Sequence, residues 1–310
     1  MRTGTPPQVS SVLISTASNQ PWYNPNSYLR LYLIQNNVTE QGIFALSIET
    51  NLNYSGNGLY GYDTVALSYL GSSVPSLDHQ VVAGIATEDF YMGKHMLIWT
   101  FKVSSFNNPV QSYMAALKSQ NLIPSLSYGY TAGNQYRFNK VLGSLTLGGY
   151  DAALIEPNEL TIPLNSAGIS DLQINIDTIS LSSDNGTEKL SSSSFPAYID
   201  SSVPYLYLPT TVCEKFEVAF GIVYDNVTEL YLVNDTLHSQ LLEQAANVTF
   251  KVTNVTGELF VDIVLPYEAF DLSVKYPLVS NATGSSRYFP LKRSQNSEQN
   301  TLGRAFLQEA

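Results

Sequence analysis

Two short segments of the chain, 185 residues apart, follow the same pattern, and this repeat limits the possible folds more than any other feature. In each, a short apolar strand leads into a turn of small residues, and an aromatic residue follows seven positions after the turn begins. The first copy runs from Ser15 to Trp22 and the second from Asp200 to Tyr207. Such a repeat predicts a duplicated architecture with two lobes that face each other.

Asp200 is the acid of the second copy, and it lies in a stretch that is poor in charge. Between Leu190 and Glu217 the other charged residues are Glu214 and Lys215. An acid held in a small-residue turn after a buried strand is well placed for the floor of a cleft. The alternative is an exposed turn aspartate between two strands, so the question is whether Asp200 has a partner.

The composition favours a largely β protein with one large or two medium domains. Of 310 residues, 44% are hydrophobic and only 13% are charged. Ser, Thr, Tyr, Asn and Val are abundant, and long helical heptads are absent. The net charge of −11 argues against nucleic acid as a partner, because phosphate binding needs a basic face. It fits a protein that works in an acidic medium, where protonation lowers self-repulsion.

The inventory of metal ligands is small. The chain has one cysteine, Cys213, and three histidines, His79, His95 and His238, which are far apart in the sequence. No recognised metal-ligand spacing can be assembled from them. The sequence therefore predicts neither a metal site nor a cofactor.

Eight Asn-x-Ser/Thr sequons predict a glycoprotein that is secreted or attached to the cell surface. Against this, Met1 is followed by RTGTPPQ, without an apolar signal region, and no apolar run is long enough for a membrane helix. We therefore expect that both ends of the natural chain, with the signal and any anchor, are missing here; the alternative is a cytosolic protein with accidental sequons. The sequons start at Asn37, Asn53, Asn185, Asn226, Asn234, Asn247, Asn254 and Asn281.

The residues around both copies resemble those of the pepsin-like aspartic endopeptidases. GTPPQ, a strand, a four-residue turn and Trp22 resemble the first active-site region of that family, and the stretch around Asp200 resembles the second. In the family's order, LYGYDTVAL resembles the strand that leaves the flap, LGSLTLGGYD the segment before the lobes connect, and NTLGRAFLQEA the strand that closes the second lobe. Phrases such as CEKFEVAFG and YFPLKR resemble a fungal, surface-associated subgroup.

The resemblance implies a mainly β, bilobal pepsin-like acid protease fold, with two pseudo-symmetric β-barrel lobes and a cleft between them. The N-terminal lobe would span residues 1–150, with its active-site turn at 15–18. The C-terminal lobe would span residues 151–310, with its turn at 200–203 and a final strand at 300–310. The resemblance also implies a monomer that hydrolyses an extended peptide or protein substrate at acid pH through two aspartates, without metal or cofactor.

The first of those two aspartates is replaced by Ser15, whereas Asp200 occupies the second position. A serine hydroxyl without a nearby base neither ionises in acid nor acts as a general base. The sequence therefore predicts an inactive or impaired homologue, a pseudoenzyme that still binds extended peptide. Two alternatives stay open: an active acid endopeptidase in which another carboxylate or a water arrangement rescues Ser15, and a non-enzymatic surface glycoprotein.

Other residues of the two turns also depart from the family pattern. Thr16 and Ser201 keep the hydroxyls that the family uses to tie its lobes together. Ala17 and Ser202 stand where the family has glycine, which adds bulk where backbone amides approach the carboxylates. Val203 replaces the hydroxyl residue that would bond the second carboxylate. The structural features are thus better retained than the chemical ones.

Three further details follow from the resemblance. Tyr54, in NYSGNG, is the candidate flap tyrosine, and the alternative is a glycine-rich hairpin turn. Residues 91–102 (YMGKHMLIWTFK) stand where an apolar-apolar-Gly stretch is implied behind the first turn. Ordinary core, an amphipathic membrane helix and a sequence irregularity are the options there. Cys213 would have a disulfide partner near the C-terminus, beyond Ala310.

The spacing of apolar residues predicts three short helices, at 109–119, 211–220 and 237–246. In the second of these, Val212, Phe216 and Phe220 share one face. The polar stretch at 182–194 is predicted to be a surface loop.

Overall fold

A computed structural model describes part of the chain and divides it into two compact units. The first unit comprises residues 1–129 and 146–151, and the second comprises residues 130–145 and 152–310. The described residues are 2–3, 8–9, 12–16, 22–23, 42–45, 50–53, 56–68, 75–88, 95–98, 111–134, 136–137, 141–165, 170–184, 186–254, 256–276, 278–279 and 284–310.

Eight described strands form the sheet of the first unit: β1 (Arg2–Thr3), β2 (Gln8–Val9), β3 (Val12–Ser15), β4 (Trp22–Tyr23), β5 (Gly42–Ala45), β6 (Gly56–Ala66), β7 (Leu77–Glu88) and β8 (His95–Ile98). The order is β2-β1-β6-β7-β4-β8-β3, with β5 beside β6. Strands β6 and β7 form a long antiparallel hairpin. Strand β4 runs parallel to β7 and antiparallel to β8, and β8 runs parallel to β3.

Helix α1 (Tyr113–Ser119) packs its apolar face into the first unit. It begins at Ser112, whose side chain accepts a hydrogen bond from Ala115 N at 3.3 Å and so satisfies one of the free amides of the first turn. Tyr113, Met114 and Leu117 are buried. The helical spacing is therefore confirmed, although the helix begins later than predicted.

Fourteen further strands are described, and those of the second unit form an eight-stranded and a four-stranded sheet. The larger has the order β18-β17-β11-β13-β22-β14-β21 with β12 beside β11, the smaller is β15-β16-β20-β19, and β9 and β10 form a separate pair. The strands are β9 (Tyr128–Asn134), β10 (Val141–Leu147), β11 (Gln173–Ser183), β12 (Gly186–Lys189), β13 (Phe195–Ile199), β14 (Leu206–Pro209), β15 (Val223–Asp225), β16 (Leu230–Val233), β17 (Asn247–Thr253), β18 (Phe260–Pro266), β19 (Leu272–Lys275), β20 (Ser285–Phe289), β21 (Leu291–Ser294) and β22 (Thr301–Leu302).

Helices α2 (Thr210–Phe220) and α3 (Asp235–Gln244) confirm the other two helix predictions within one to two residues at each end. Helix α2 ends at Gly221, whose φ of 63° is left-handed and suits glycine. Helix α3 is capped by Asn234, which accepts from Leu237 N at 2.9 Å. Short 3₁₀ helices occupy Thr50–Leu52, Ala152–Leu154, Tyr267–Phe270, Ser297–Gln299 and Phe306–Gln308.

An aromatic cluster forms the centre of the second unit. The rings of Phe270 and Phe289 stack at 4.8 Å, and Phe220 lies 5.0 Å from Phe289. Phe216 packs against all three. Burial of each ring contributes about 1.5–3 kcal/mol to the free energy of unfolding. The predicted apolar face of α2 is thus the face that anchors it to the core.

Two sequence predictions differ from the structure. The polar stretch at 182–194 contains β12, which pairs with β11 from Ser180↔Lys189 to Ser183↔Gly186. All four residues of β12 are exposed, so no apolar pattern reveals the strand. The backbone ladder and a hydrogen bond from Lys215 Nζ to Lys189 O at 3.1 Å hold it. The predicted strand at 300–310 is limited to Thr301–Leu302, because Gly303 N leaves the ladder and donates to Tyr205 O at 2.9 Å.

Among the residues that the structure describes, no helix combines the length and the hydropathy needed to cross a membrane.

Candidate active site

Asp200 lies where β13 leaves the sheet of the second unit. Ile199 still pairs with Leu302 of the parallel strand β22, and Asp200 N donates to Leu302 O at 3.1 Å. The residue is only 4% exposed, which excludes the exposed-turn alternative. The strand pairing therefore fixes the backbone of Asp200 and places its carboxylate in a buried turn.

The carboxylate of Asp200 is bonded by a residue that the sequence did not suggest as a partner. Ser202 N donates to Asp200 Oδ1 at 2.8 Å, and the hydroxyl of Ser202 donates to the same oxygen. From the sequence, Ser202 is expected to crowd the carboxylate, because the family has glycine there, and Val203 to remove a hydroxyl donor. The structure shows that Ser202 supplies a hydroxyl donor while Val203 is buried with the core residues.

The carbonyls of the second turn are held by the segment that follows β22. Gly303 N donates to Tyr205 O at 2.9 Å and Arg304 N to Val203 O at 2.8 Å. A Cβ on Gly303 would lie 2.4 Å from Tyr205 O and from Val203 O, so the close approach requires glycine. We call residues 303–305 the clamp.

The side chain of Arg304 extends the clamp to the start of the turn. Its Nη1 donates to Ser201 O at 2.8 Å and to Ser202 O at 2.5 Å. Burial lowers the pKa of Arg304, and the negative charge of Asp200 acts in the opposite direction. Sequence reasoning missed this residue; the one available signal is a charge inside the apolar stretch TLGRAFL.

The first turn lies in the other unit. Ser15 is the last residue of β3, where it pairs with Ile98 of β8, and it is fully buried. Thr16 is 5% exposed. The pairing gives residues 95–98 of the odd segment 91–102 a defined place beside the first turn. This is where the resemblance implies that an apolar stretch packs.

Two predicted site residues are described only in part or not at all. Trp22 belongs to β4, whose backbone pairs with those of β8 and β7. The structure does not describe its side chain. Tyr54, the candidate flap residue, lies outside the described residues, as does Ala17. The role of each stays a prediction.

Five of the eight sequon asparagines fall in the described part of the chain. Asn53, Asn226, Asn234 and Asn247 are exposed, and Asn254 is half-buried. Asn234 caps α3 through Oδ1, which leaves Nδ2 available for a glycan. Asn37, Asn185 and Asn281 lie outside the described residues.

Cys213 lies on the buried face of α2 and is fully buried as a free thiol. Its Sγ donates to Leu208 O at 3.4 Å, and burial raises the pKa of the thiol to about 12. In the described ranges, no group of three His, Cys, Asp or Glu residues is arranged to hold a metal ion.

Comparisons with known proteins agree with this geometry. A family model for eukaryotic aspartyl proteases matches residues 1–310. Among solved structures, the chain is similar to the aspartic proteinase from Irpex lacteus, with 18% sequence identity and a TM-score of 0.68 over 99% of this chain and 88% of that chain. At that identity the likeness shows the fold alone. No curated protein sequence matches the chain.

Proposed function

Because the chain belongs to the eukaryotic aspartyl protease family, we propose that it is a pepsin-like homologue with an impaired or absent peptidase activity that still binds extended peptide. One observation carries the proposal: the first turn presents Ser15 where the family has an acid, while Asp200 is retained in the second turn. The fold is mainly β and pepsin-like.

The family's chemistry requires two carboxylates. Placed about 3 Å apart they cannot both ionise easily, so they share one proton and divide the roles of general base and general acid. The base activates a water, and the acid polarises the scissile carbonyl and protonates the leaving group. The hydroxyl of Ser15 takes neither role in acid. With Ser15 at the first position, the two roles of general base and general acid are no longer divided between two carboxylates, and turnover depends on that division.

Retention of the second turn supports a binding function. The Asp200 carboxylate is buried and accepts two hydrogen bonds from Ser202. Ser15, Thr16 and Ser201 keep small polar side chains in buried positions. The two turns thus keep their polar character, and the binding of a peptide does not require a second acid.

The test is an assay on denatured casein between about pH 3 and 5, the range in which a shared-proton dyad works. Products are followed by mass spectrometry with and without pepstatin, and Asp200→Asn is the matched control. We expect no turnover above that of Asp200→Asn and measurable pepstatin binding by calorimetry. Pepstatin-sensitive turnover that vanishes in Asp200→Asn would establish an active endopeptidase instead. Absence of both turnover and binding would favour the surface glycoprotein.

We also propose that the protein is a secreted or cell-surface monomer with glycans. The four exposed sequon asparagines support this, since a glycan needs an accessible side chain. Expression through a eukaryotic secretory pathway, followed by glycosidase treatment and peptide mapping, tests it. We expect Asn to Asp conversion at Asn226 and Asn247. Unmodified asparagines at all four exposed sites would contradict the proposal.

A further inference from the structure

We propose that Arg304 is a positioning residue whose guanidinium serves as the counter-ion of Asp200 and fixes the turn that presents its carboxylate. The inference goes beyond the proposed function, since the resemblance assigns no role to this position. It rests on that function only where ligand binding is the readout.

The clamp satisfies five consecutive carbonyls, those of residues 201–205. Backbone amides of the clamp donate to the last three, with Ala305 N bonding Pro204 O at 3.3 Å. The carbonyls of Ser201 and Ser202 depend on Nη1 of Arg304. Removing that side chain leaves two polar groups of a buried turn without these donors, and such groups are costly to leave unpaired. The side chain of Arg304 thus bonds the two carbonyls of the turn to which the clamp amides do not donate.

The charge of Arg304 also needs a partner, because a buried cation without one is strongly unfavourable. The groups that act on it electrostatically are, from the largest effect to the smallest, Tyr130, Asp200, Tyr288 and Tyr205. Burial raises the pKa of Tyr130, and it raises that of Tyr288 to about 12, so these two phenols are neutral at acid and neutral pH. Of these four groups, Asp200 is the one that carries a carboxylate.

Nη1 of Arg304 bonds the carbonyls of the two residues that follow Asp200, and a nearby guanidinium favours the ionised form of a carboxylate. The shared-proton dyad of the family needs a second acid beside Asp200, whereas here the turn is built around a cation. The pair suits a binding site in which Asp200 stays an acceptor. It also adds an obstacle to acid catalysis that does not depend on Ser15.

Arg304 is reachable from one side. It lines a cavity of about 500 Å³ within the second unit, together with Pro204, Tyr288 and the carboxylates Glu268 and Asp271. The cavity is large enough for a small cation, and the two carboxylates would attract a positive charge into it. A guanidinium compound should therefore be able to enter a variant that lacks the Arg304 side chain.

The test is a double-mutant cycle with Arg304→Gln and Asp200→Asn, measured by pepstatin affinity and by thermal unfolding. We expect Arg304→Gln to weaken binding about tenfold in the native background and less than about threefold in Asp200→Asn, as for coupled residues. Arg304→Lys, which keeps the charge, should retain most of the affinity. Lys275→Gln, which removes an exposed cation of β19, is the control and should change neither readout.

Equal losses in both backgrounds would overturn the proposal, since a purely structural clamp does not depend on the charge of Asp200. If Arg304→Gln does not fold, Arg304→Ala refolded with methylguanidinium replaces it. Recovery with methylguanidinium but not with the same concentration of sodium chloride is expected, and no recovery contradicts the proposal. If the native chain binds no pepstatin, the proposed function fails, while coupling in the unfolding temperatures still decides the role of Arg304.

Discussion

The two turns have the same strand arrangement and different chemistry. In the first unit the turn strand β3 runs parallel to β8, β8 antiparallel to β4, and β4 parallel to β7. In the second unit β13 runs parallel to β22, β22 antiparallel to β14, and β14 parallel to β21. Each turn follows the first strand of its set, yet one carries Ser15 and the other Asp200.

The strand arrangement around the turn therefore does not depend on whether the turn carries an aspartate. Ser15 is as buried as its counterpart, and its strand is paired to its last residue. In the second turn, a clamp, a buried cation and a serine donor support the acid. Variants that remove these features of the second turn, or that add an acid to the first, test this difference.

The largest effect is expected from Gly303→Ala. Its Cβ would meet two backbone oxygens at 2.4 Å, so the clamp or the turn must move. We expect a loss of about 3 kcal/mol in the free energy of unfolding by urea titration, at the upper end for overpacking. The control is Gly149→Ala in the first unit, where a Cβ would meet nothing within 4 Å. Equal changes in the two variants would show that the clamp is dispensable.

Ser15→Asp restores the acid of the first turn. The position is fully buried, and burial raises the pKa of a carboxyl, so the folded state holds the proton more tightly than the unfolded state. Stability is then present at low pH and lost as pH rises above about 4. We expect a cost of about 2 kcal/mol at neutral pH and less in acid. The cost of the control Ser15→Asn should not depend on pH.

The same variant tests catalysis. If Arg304 holds Asp200 as an acceptor, Ser15→Asp alone should not produce pepstatin-sensitive turnover of casein. The combination Ser15→Asp with Arg304→Gln removes both obstacles, and we expect its turnover to exceed that of the single variant. Turnover by the single variant would contradict the role given to Arg304 and leave Ser15 as the sole defect.

Ser202→Ala removes one donor from the Asp200 carboxylate. A hydrogen bond to a charged group contributes about 1.5 kcal/mol, and we expect this loss in urea unfolding. The exposed Ser193 provides the control, Ser193→Ala, which should change stability little. In the Asp200→Asn background the cost of Ser202→Ala should fall, because the acceptor is no longer charged. An unchanged cost there would show that the contribution of the Ser202 hydroxyl does not depend on the charge of Asp200.

The sequence predicts the second turn well because a local pattern encodes it: a strand, an acid, small residues and an aromatic in one run around Asp200. The apolar face of α2 is equally local, with Phe216 and Phe220 at helical spacing. Arg304 escaped prediction because its partners at 201–202 are about a hundred positions earlier. Strand β12 was not predicted because its residues are exposed and it pairs with β11 through the backbone, which leaves no apolar pattern in the sequence.

The smallest effects concern one acid in each unit, Asp63 and Asp225. Burial raises the pKa of Asp63 above 3.8, although the amide of Thr64 opposes this. Its contribution to stability is therefore present below about pH 3.8 and lost as pH rises through the folded-state value. Hydrogen bonds from the hydroxyl and amide of Thr228 lower the pKa of Asp225, so its contribution is present above pH 3.8 and lost as pH falls.

The variants Asp63→Asn and Asp225→Asn should thus shift the unfolding temperature with opposite pH dependence. Relative to the native chain, the unfolding temperature of Asp63→Asn should rise as pH increases from about 3 to 6, because the variant removes a carboxylate whose ionised form is disfavoured by burial. Asp225→Asn should lose over the same range, because it removes a favourable one. Calorimetry at the two pH values measures both differences. Shifts of the same sign in the two variants would mean that net charge, and not the local environment of each acid, sets the response of the two units to acid.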